Sequence, residues 1–365
     1  MTGKDRLLAA LDGKSPDRLP ATTHHVMKYF LDTYMGGCDY HDFFTYMELD
    51  PICWVDDYQY TQEQKENWRL EREIIADDQY HTERYHIHTP AKTFTMVVQS
   101  NQYTTWVVEH LLKDKDDIAI LERYLPSPHA GSAAVERAII EHPQSLIRGT
   151  VPPLSPFGQP GCWQELAMLY GIQDLIIETF DDPEWVKEAL QMIQKKKLEY
   201  VSSLEGCPYD LIELGGGDAS TTVISPAIFD EFVAPYDIPV IQRMQEKGQR
   251  AVYHTCGGMM PILERLADMG SNALETFTPV GMGGDVDLAK AKRRLGNRVC
   301  MIGGFDQLHY FTGCTSEDTR NYVRKCFDEA GEGGRFILSP SDHFFDAKPE
   351  LIRAFAQEAA LCTYK

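Results

Sequence analysis

The sequence predicts an α/β chain folded as a (β/α)8 TIM barrel, with an antiparallel β insertion in its N-terminal half, beside the barrel mouth. Three observations carry this. Eight short apolar runs recur along the 365 residues. Amphipathic segments separate the later runs, the alternation that builds a parallel sheet covered by helices. One Tyr- and Thr-rich stretch breaks that alternation and reads as antiparallel strands.

Taken in order, the strands are expected at Leu19–His24, Ile52–Asp56, Ser145–Thr150, Asp210–Leu214, Arg250–His254, Ala273–Phe277, Val299–Gly303 and Phe336–Ser339. The segment "DDPEWVKEALQMIQKKKLEYVSSL" has an acidic start and an apolar stripe at three-to-four spacing, so it reads as a helix. "SPAIFDEFVAPYDIPVIQRMQEKG" opens on Ser225-Pro226, a cap followed by proline at the first helical position. "TSEDTRNYVRKCFDEAG" begins with a similar cap and stops at Gly331, and "KPELIRAFAQEAALC" forms the last helix. From residue 68 to 108, alternating polar and apolar residues predict the insertion, packed as a lid beside the barrel mouth. The whole of 1–365 is read as one barrel domain carrying that insertion.

Composition narrows the function. A formal net charge of −20 argues against a nucleic-acid binder, which needs Lys and Arg to neutralise phosphates. No apolar run is long enough to span a membrane, and the charged N-terminus has no signal core, so a cytoplasmic protein is expected. The nine cysteines are odd in number and contain no CxxC pair, which predicts reduced thiols.

Barrel enzymes place their chemistry at the C-terminal ends of the strands. Here those ends carry reactive residue types: His24 and His25; Asp56, Asp57 and Tyr58; Glu213 and then "LGGGD" with Asp218; His254 and Cys256; Glu275; Asp306; and Asp342 with His343. Because a strand alternates its faces, His254 and Cys256 point the same way if the strand runs through both. Zinc accepts a mixture of imidazole, thiolate and carboxylate, and a third donor from a neighbouring strand end would complete a site. Ordinary buried side chains are the competing reading of an isolated His-x-Cys. Asp342 and His343 lie beside Phe344 and Phe345, and two polar groups there are costly to bury without partners. The glycines of "LGGGD" lack the Lys-Ser/Thr of a phosphate loop and instead allow close backbone approach.

Three ordered stretches resemble the uroporphyrinogen decarboxylase superfamily. They are "RLLAALDGKSPDRLP", "ISPAIFDEFVAPYDIPVIQRMQEKGQRAVYHTCGG" and "GGRFILSPSDHFFDAKPELIRAF". The resemblance implies the same barrel. It also implies one of two chemistries. Decarboxylases resemble one another in an arginine-rich "MRQAGR" stretch after the first strand, whose cations hold substrate carboxylates. This chain has "THHVMKYF" there, with Lys28 and no arginine. The corrinoid-dependent methyltransferases hold zinc with a His-x-Cys on the fifth strand and a Cys after the last. His254 and Cys256 match the first two positions, while Ser341 and Asp342 stand where the third ligand would be.

The resemblance therefore implies a zinc-dependent methyltransferase. It would move a methyl group between a small methylated substrate (ether, amine or thiol) and the cobalamin of a partner corrinoid protein. His254, Cys256 and His343 are the expected metal ligands. Glu213, Asp342 and His343 are the expected catalytic groups, and His24, His25, Tyr58, Asp218 and Glu275 the expected substrate-binding ones. The alternatives are a tetrapyrrole decarboxylase and a non-catalytic ligand-binding barrel.

Overall fold

The computed structural model describes residues 1–76 and 79–364. Seven parallel strands form one curled sheet: β1 (Ile52–Trp54), β2 (Leu146–Thr150), β3 (Leu211–Gly215), β4 (Ala251–His254), β5 (Ala273–Thr276), β6 (Cys300–Phe305) and β7 (Phe336–Pro340). Their spatial order is their chain order. Every residue of β5, β6 and β7 is buried, as expected of parallel strands covered on both faces.

The eighth stave is shorter than the sequence predicts. Of Leu19–His24, only Ala21 forms a bridge, to Leu338 of β7. Even so, this segment joins the two edges of the sheet. Thr22 N–H donates to the Leu338 carbonyl at 3.0 Å, Leu338 N–H to Pro20 at 2.9 Å, and Asp50 N–H to Ala21 at 2.8 Å. Pro20 has no N–H to continue a ladder. Asp50 supplies side-chain and backbone acceptors in place of a strand, taking Ala21 N–H at 3.0 Å and the Thr22 hydroxyl at 2.7 Å. The chain then leaves the wall at Thr23, which frees His24 and His25 to turn over the mouth.

A helix over Gly3–Leu11, capped by Thr2 with Asp5, lies across the opposite end. Lys4 pairs with Asp210 at 2.6 Å, and Arg250 pairs with Asp12, the residue ending this helix, at 2.9 Å. Asp210 and Arg250 directly precede β3 and β4, so this helix closes the bottom and leaves the C-terminal end as the mouth.

The later helices lie where the periodicity places them, at Pro183–Ser202, Ser316–Ala330 and Pro349–Leu361. The segment after Ser225 differs. It is divided into a short turn Pro226–Ile228, a π-helical turn Phe229–Val233 and a helix Ala234–Glu246. Pro235 and Pro239 carry no N–H, so an unbroken α-helical ladder is not available there.

The insertion is a four-stranded antiparallel meander of Arg69–Ile75, His81–His88, Thr93–Ser100 and Thr105–Glu109. It buries Ile87, Phe94, Met96 and Val98 against the body. Tyr103, at its last turn, meets Tyr29 at 4.9 Å and Phe345 at 5.1 Å between ring centroids. Phe345 follows β7, so the sheet stands beside the barrel mouth. All nine cysteines are free thiols. Among the described residues, no helix is long and apolar enough to cross a membrane.

Candidate active site at the barrel mouth

The barrel interior is built on a buried cation. Arg148 of β2 interrupts an apolar strand and is 1% exposed. A buried charge is tolerated only when paired and hydrogen-bonded. Arg148 meets that demand with two carboxylates from other staves. It grips both oxygens of Glu275 on β5, one of them at 3.0 Å, and reaches Glu213 on β3 at 2.5 Å. Its guanidinium also lies 4.5 Å from the ring centroid of Trp54 on β1. Burial would raise the Glu275 carboxyl's pKa, but Arg148 and His254 outweigh it and hold the group well below the usual carboxylate range.

His254 ends β4 and sits directly on this network. Its Nδ1 faces Glu275 Oε1 at 3.0 Å. Burial alone would pull the imidazole pKa down. The contact with Cys256 and the two carboxylates Glu275 and Glu213 instead raise it well above the ordinary histidine range. With Nδ1 engaged below, Nε2 is the nitrogen left for the cavity.

Above this floor opens a cavity of about 680 Å³. Its wall includes His24, His25, Tyr40, His41, Trp54, Asp56, Thr150, Glu213, His254 and His343, and, among the described residues, no Lys or Arg. Trp54 organises one side. Its indole Nε1–H donates to the His24 carbonyl at 2.5 Å, and its ring stacks on His25 at 4.7 Å and 9°. Burial keeps His24 neutral, with its pKa well below the ordinary value, and holds His25 at about 3. His343 is also lowered, chiefly by burial.

The residues expected from the sequence separate into three sets. His24, His25, Glu213, His254 and His343 converge on the cavity. Glu275 lies beneath it, 1% exposed and paired with Arg148 and His254, so it braces His254 from below. The others lie elsewhere. Tyr58 lines a separate cavity of about 320 Å³ with Tyr60 and Trp68. Asp218 is locked by Gln164 through two hydrogen bonds of 2.7 Å. The Asp342 side chain is 56% exposed and turns back to accept its neighbour's N–H, His343 N–H, at 2.7 Å. Asp57 and Asp306 serve the backbone, accepting from Ala134 N–H and His309 N–H.

Cys256 follows β4 and contacts His254. Gly217 leaves room for it, since a Cβ there would lie 2.7 Å from Cys256 Sγ. Gly215, at φ +108°, lets β3 pass His254, where a Cβ would lie 2.3 Å from the His254 carbonyl oxygen. The "LGGGD" glycines thus serve close approach. Three potential ligand groups lie within 4.8 Å of one another among the described residues: His24 with His25 and His343; Glu213 with His254 and Glu275; and His41 with Cys53 and His142. Cys256 belongs to none of them. Ser341, at the place of a third cysteine, is fully buried and its hydroxyl accepts Gly304 N–H at 3.1 Å. The His-x-Cys pair therefore lacks the cysteine after the last strand that would complete a site of that type.

Sequence reading missed Arg148, Trp54, Tyr40 and His41. Arg148 had a signal, an arginine inside the apolar run "SLIRGT". Trp54, Tyr40 and His41 had none, because only the closed barrel brings them beside the histidines.

The family described as Uroporphyrinogen decarboxylase (URO-D) matches residues 84–360. The chain belongs to the uroporphyrinogen decarboxylase family. Among solved structures, the URO-D chain is similar to a methyltransferase from Methanosarcina mazei, with a TM-score of 0.66 and 17% identity over 98% of each chain. At that identity the likeness supports the shared fold. A search of curated proteins finds no match.

Proposed function

We propose that this URO-D family member is a methyltransferase of a corrinoid system, taking a methyl group from a small methyl ether, amine or thiol and passing it to the cobalamin of a partner protein. The observation that carries this reading is the wall of the mouth, which is rich in imidazole and, among the described residues, is lined by no Lys or Arg. A decarboxylase acting on a propionate-rich tetrapyrrole needs cations to pair its carboxylates. Arg148, buried below the mouth, is already paired with Glu213 and Glu275. Lys28 points to solvent, 85% exposed, and pairs with Asp32.

The fold likeness to a methyltransferase supports the same branch. Zinc, when bound, would polarise the methylated heteroatom as a Lewis acid. The chain's own groups do the rest. The apolar faces of Trp54 and Tyr40 enclose the methylated group. Glu213 and Glu275 fix His254 through Arg148 and Nδ1, so Nε2 is directed at the heteroatom and offers it a hydrogen bond as the methyl group departs. Methyl transfer and uroporphyrinogen decarboxylation, assayed side by side under anaerobic conditions, test the reading: it requires the first activity and not the second.

A further inference from the structure

We infer that the barrel mouth holds a divalent transition ion on the three imidazoles of His24, His25 and His343, beside the His254–Cys256 pair and not on it. The ligand atoms of these three side chains lie within 4.8 Å of one another. Two imidazoles on one tetrahedral zinc, each nitrogen ~2.0–2.1 Å from the ion, place their ring centroids roughly 5 Å apart. The three pairs here lie at 4.9, 5.4 and 5.8 Å. Their planes are tilted by 58°, 48° and 32°, so in-plane lone pairs can point toward a common centre.

The other imidazole group offers a contrast. His41 and His142 stack at 3.5 Å and 18°, which keeps their lone pairs in nearly parallel planes. Of these two groups, the mouth trio is the one splayed for one ion. It is also braced: Trp54 binds the His24 backbone carbonyl and stacks on the His25 ring, which holds both residues over the mouth. Three neutral imidazoles leave a dication's charge uncompensated, and Asp56 and Glu213 face the same cavity.

The donor set selects zinc or cobalt(II) over magnesium or calcium, which take oxygen ligands. Three protein ligands leave a fourth position open toward the cavity, where a neutral ether, amine or thiol heteroatom could bind. That catalytic meaning rests on the methyl-transfer reading. The metal site itself does not, so its test reads metal alone.

The full chain, stripped of metal, is titrated with Co2+ while its absorption is recorded, and is separately loaded with Zn2+ for elemental analysis. The expected result is about one ion per chain, a cobalt spectrum without a thiolate charge-transfer band, and Cys256→Ala binding like the wild type. His25→Gln and His343→Gln should each weaken binding by ~100-fold or more while melting normally. A thiolate band that disappears with Cys256→Ala would place the ion on the other pair and overturn the assignment. So would a wild-type chain that takes up no Co2+, or histidine variants that bind as the wild type does. Metal on the trio with no methyl transfer would leave this site standing and reject the functional reading.

Discussion

Arg148 and Glu275 form a bidentate ion pair inside the barrel, between β2 and β5, with each side chain only 1% exposed. The pair converts an expensive buried charge into a rigid floor, and Glu275 passes that rigidity to His254.

Arg148→Met should therefore destabilise the fold by about 3–5 kcal/mol, because it leaves the buried Glu275 and the partly buried Glu213 without their cation. Chemical denaturation measures this directly. Adding Glu275→Gln to Arg148→Met should recover part of the loss, since the two residues share one interaction. Strictly additive losses would mean that the pair is not coupled.

Trp54→Ala removes the ring stacked on His25 and the donor to the His24 carbonyl. Metal affinity should fall by about 10–100-fold, because the two imidazoles lose the support that holds them in place. Competition with a chromophoric chelator gives the value. Unchanged affinity would show that the histidines are oriented without the indole.

The loop after β7 contributes one residue to the mouth and presents the next to solvent. The His343 side chain, 38% exposed, should be replaceable by Ala with a stability change within about 0.5 kcal/mol, yet methyl transfer should collapse. Asp342→Ala, removing a carboxylate 56% exposed, should leave activity within a few-fold of the wild type. Thermal melts and initial rates on the same preparations separate the two effects. Equal activity loss in both variants would assign Asp342 a role that its position does not suggest.

Much of this arrangement is legible in the sequence, and the reasons are physical. Parallel strands buried on both faces read as apolar runs, so Ala273–Phe277 and Phe336–Ser339 stand out. Each strand ends in a loop at the mouth, which is why His24, His25, Glu213, His254 and His343 could be gathered without coordinates. Side-chain direction within a loop has no period. Tyr58 and Asp342 therefore had the right neighbours in the chain and the wrong ones in space. Asp218 looked free in "LGGGD" because Gln164, 54 positions away, is its partner. Pairing across the barrel is similarly hidden: 127 positions separate Arg148 from Glu275. The closing stave was expected as a strand because "LPATTH" is apolar and β-prone, but Pro20 and the carboxylate of Asp50 replace most of its ladder.

A mouth that, among the described residues, is lined by no Lys or Arg predicts that the metal-loaded protein does not decarboxylate uroporphyrinogen. Anaerobic incubation followed by chromatography of the oxidised porphyrins checks this. Stepwise appearance of products with fewer carboxylates, at a rate proportional to enzyme, would return the chain to the decarboxylating branch of its family.

The most direct measurement is the absorption of a reduced corrinoid, recorded anaerobically with zinc-loaded enzyme and a panel of aryl methyl ethers, methylamines and methylthiols. The account predicts that at least one donor class converts the reduced corrinoid spectrum to that of the methylated form, that the rate scales with enzyme, and that His254→Ala abolishes it. A folded, metal-loaded enzyme that leaves the spectrum unchanged across the whole panel would contradict it.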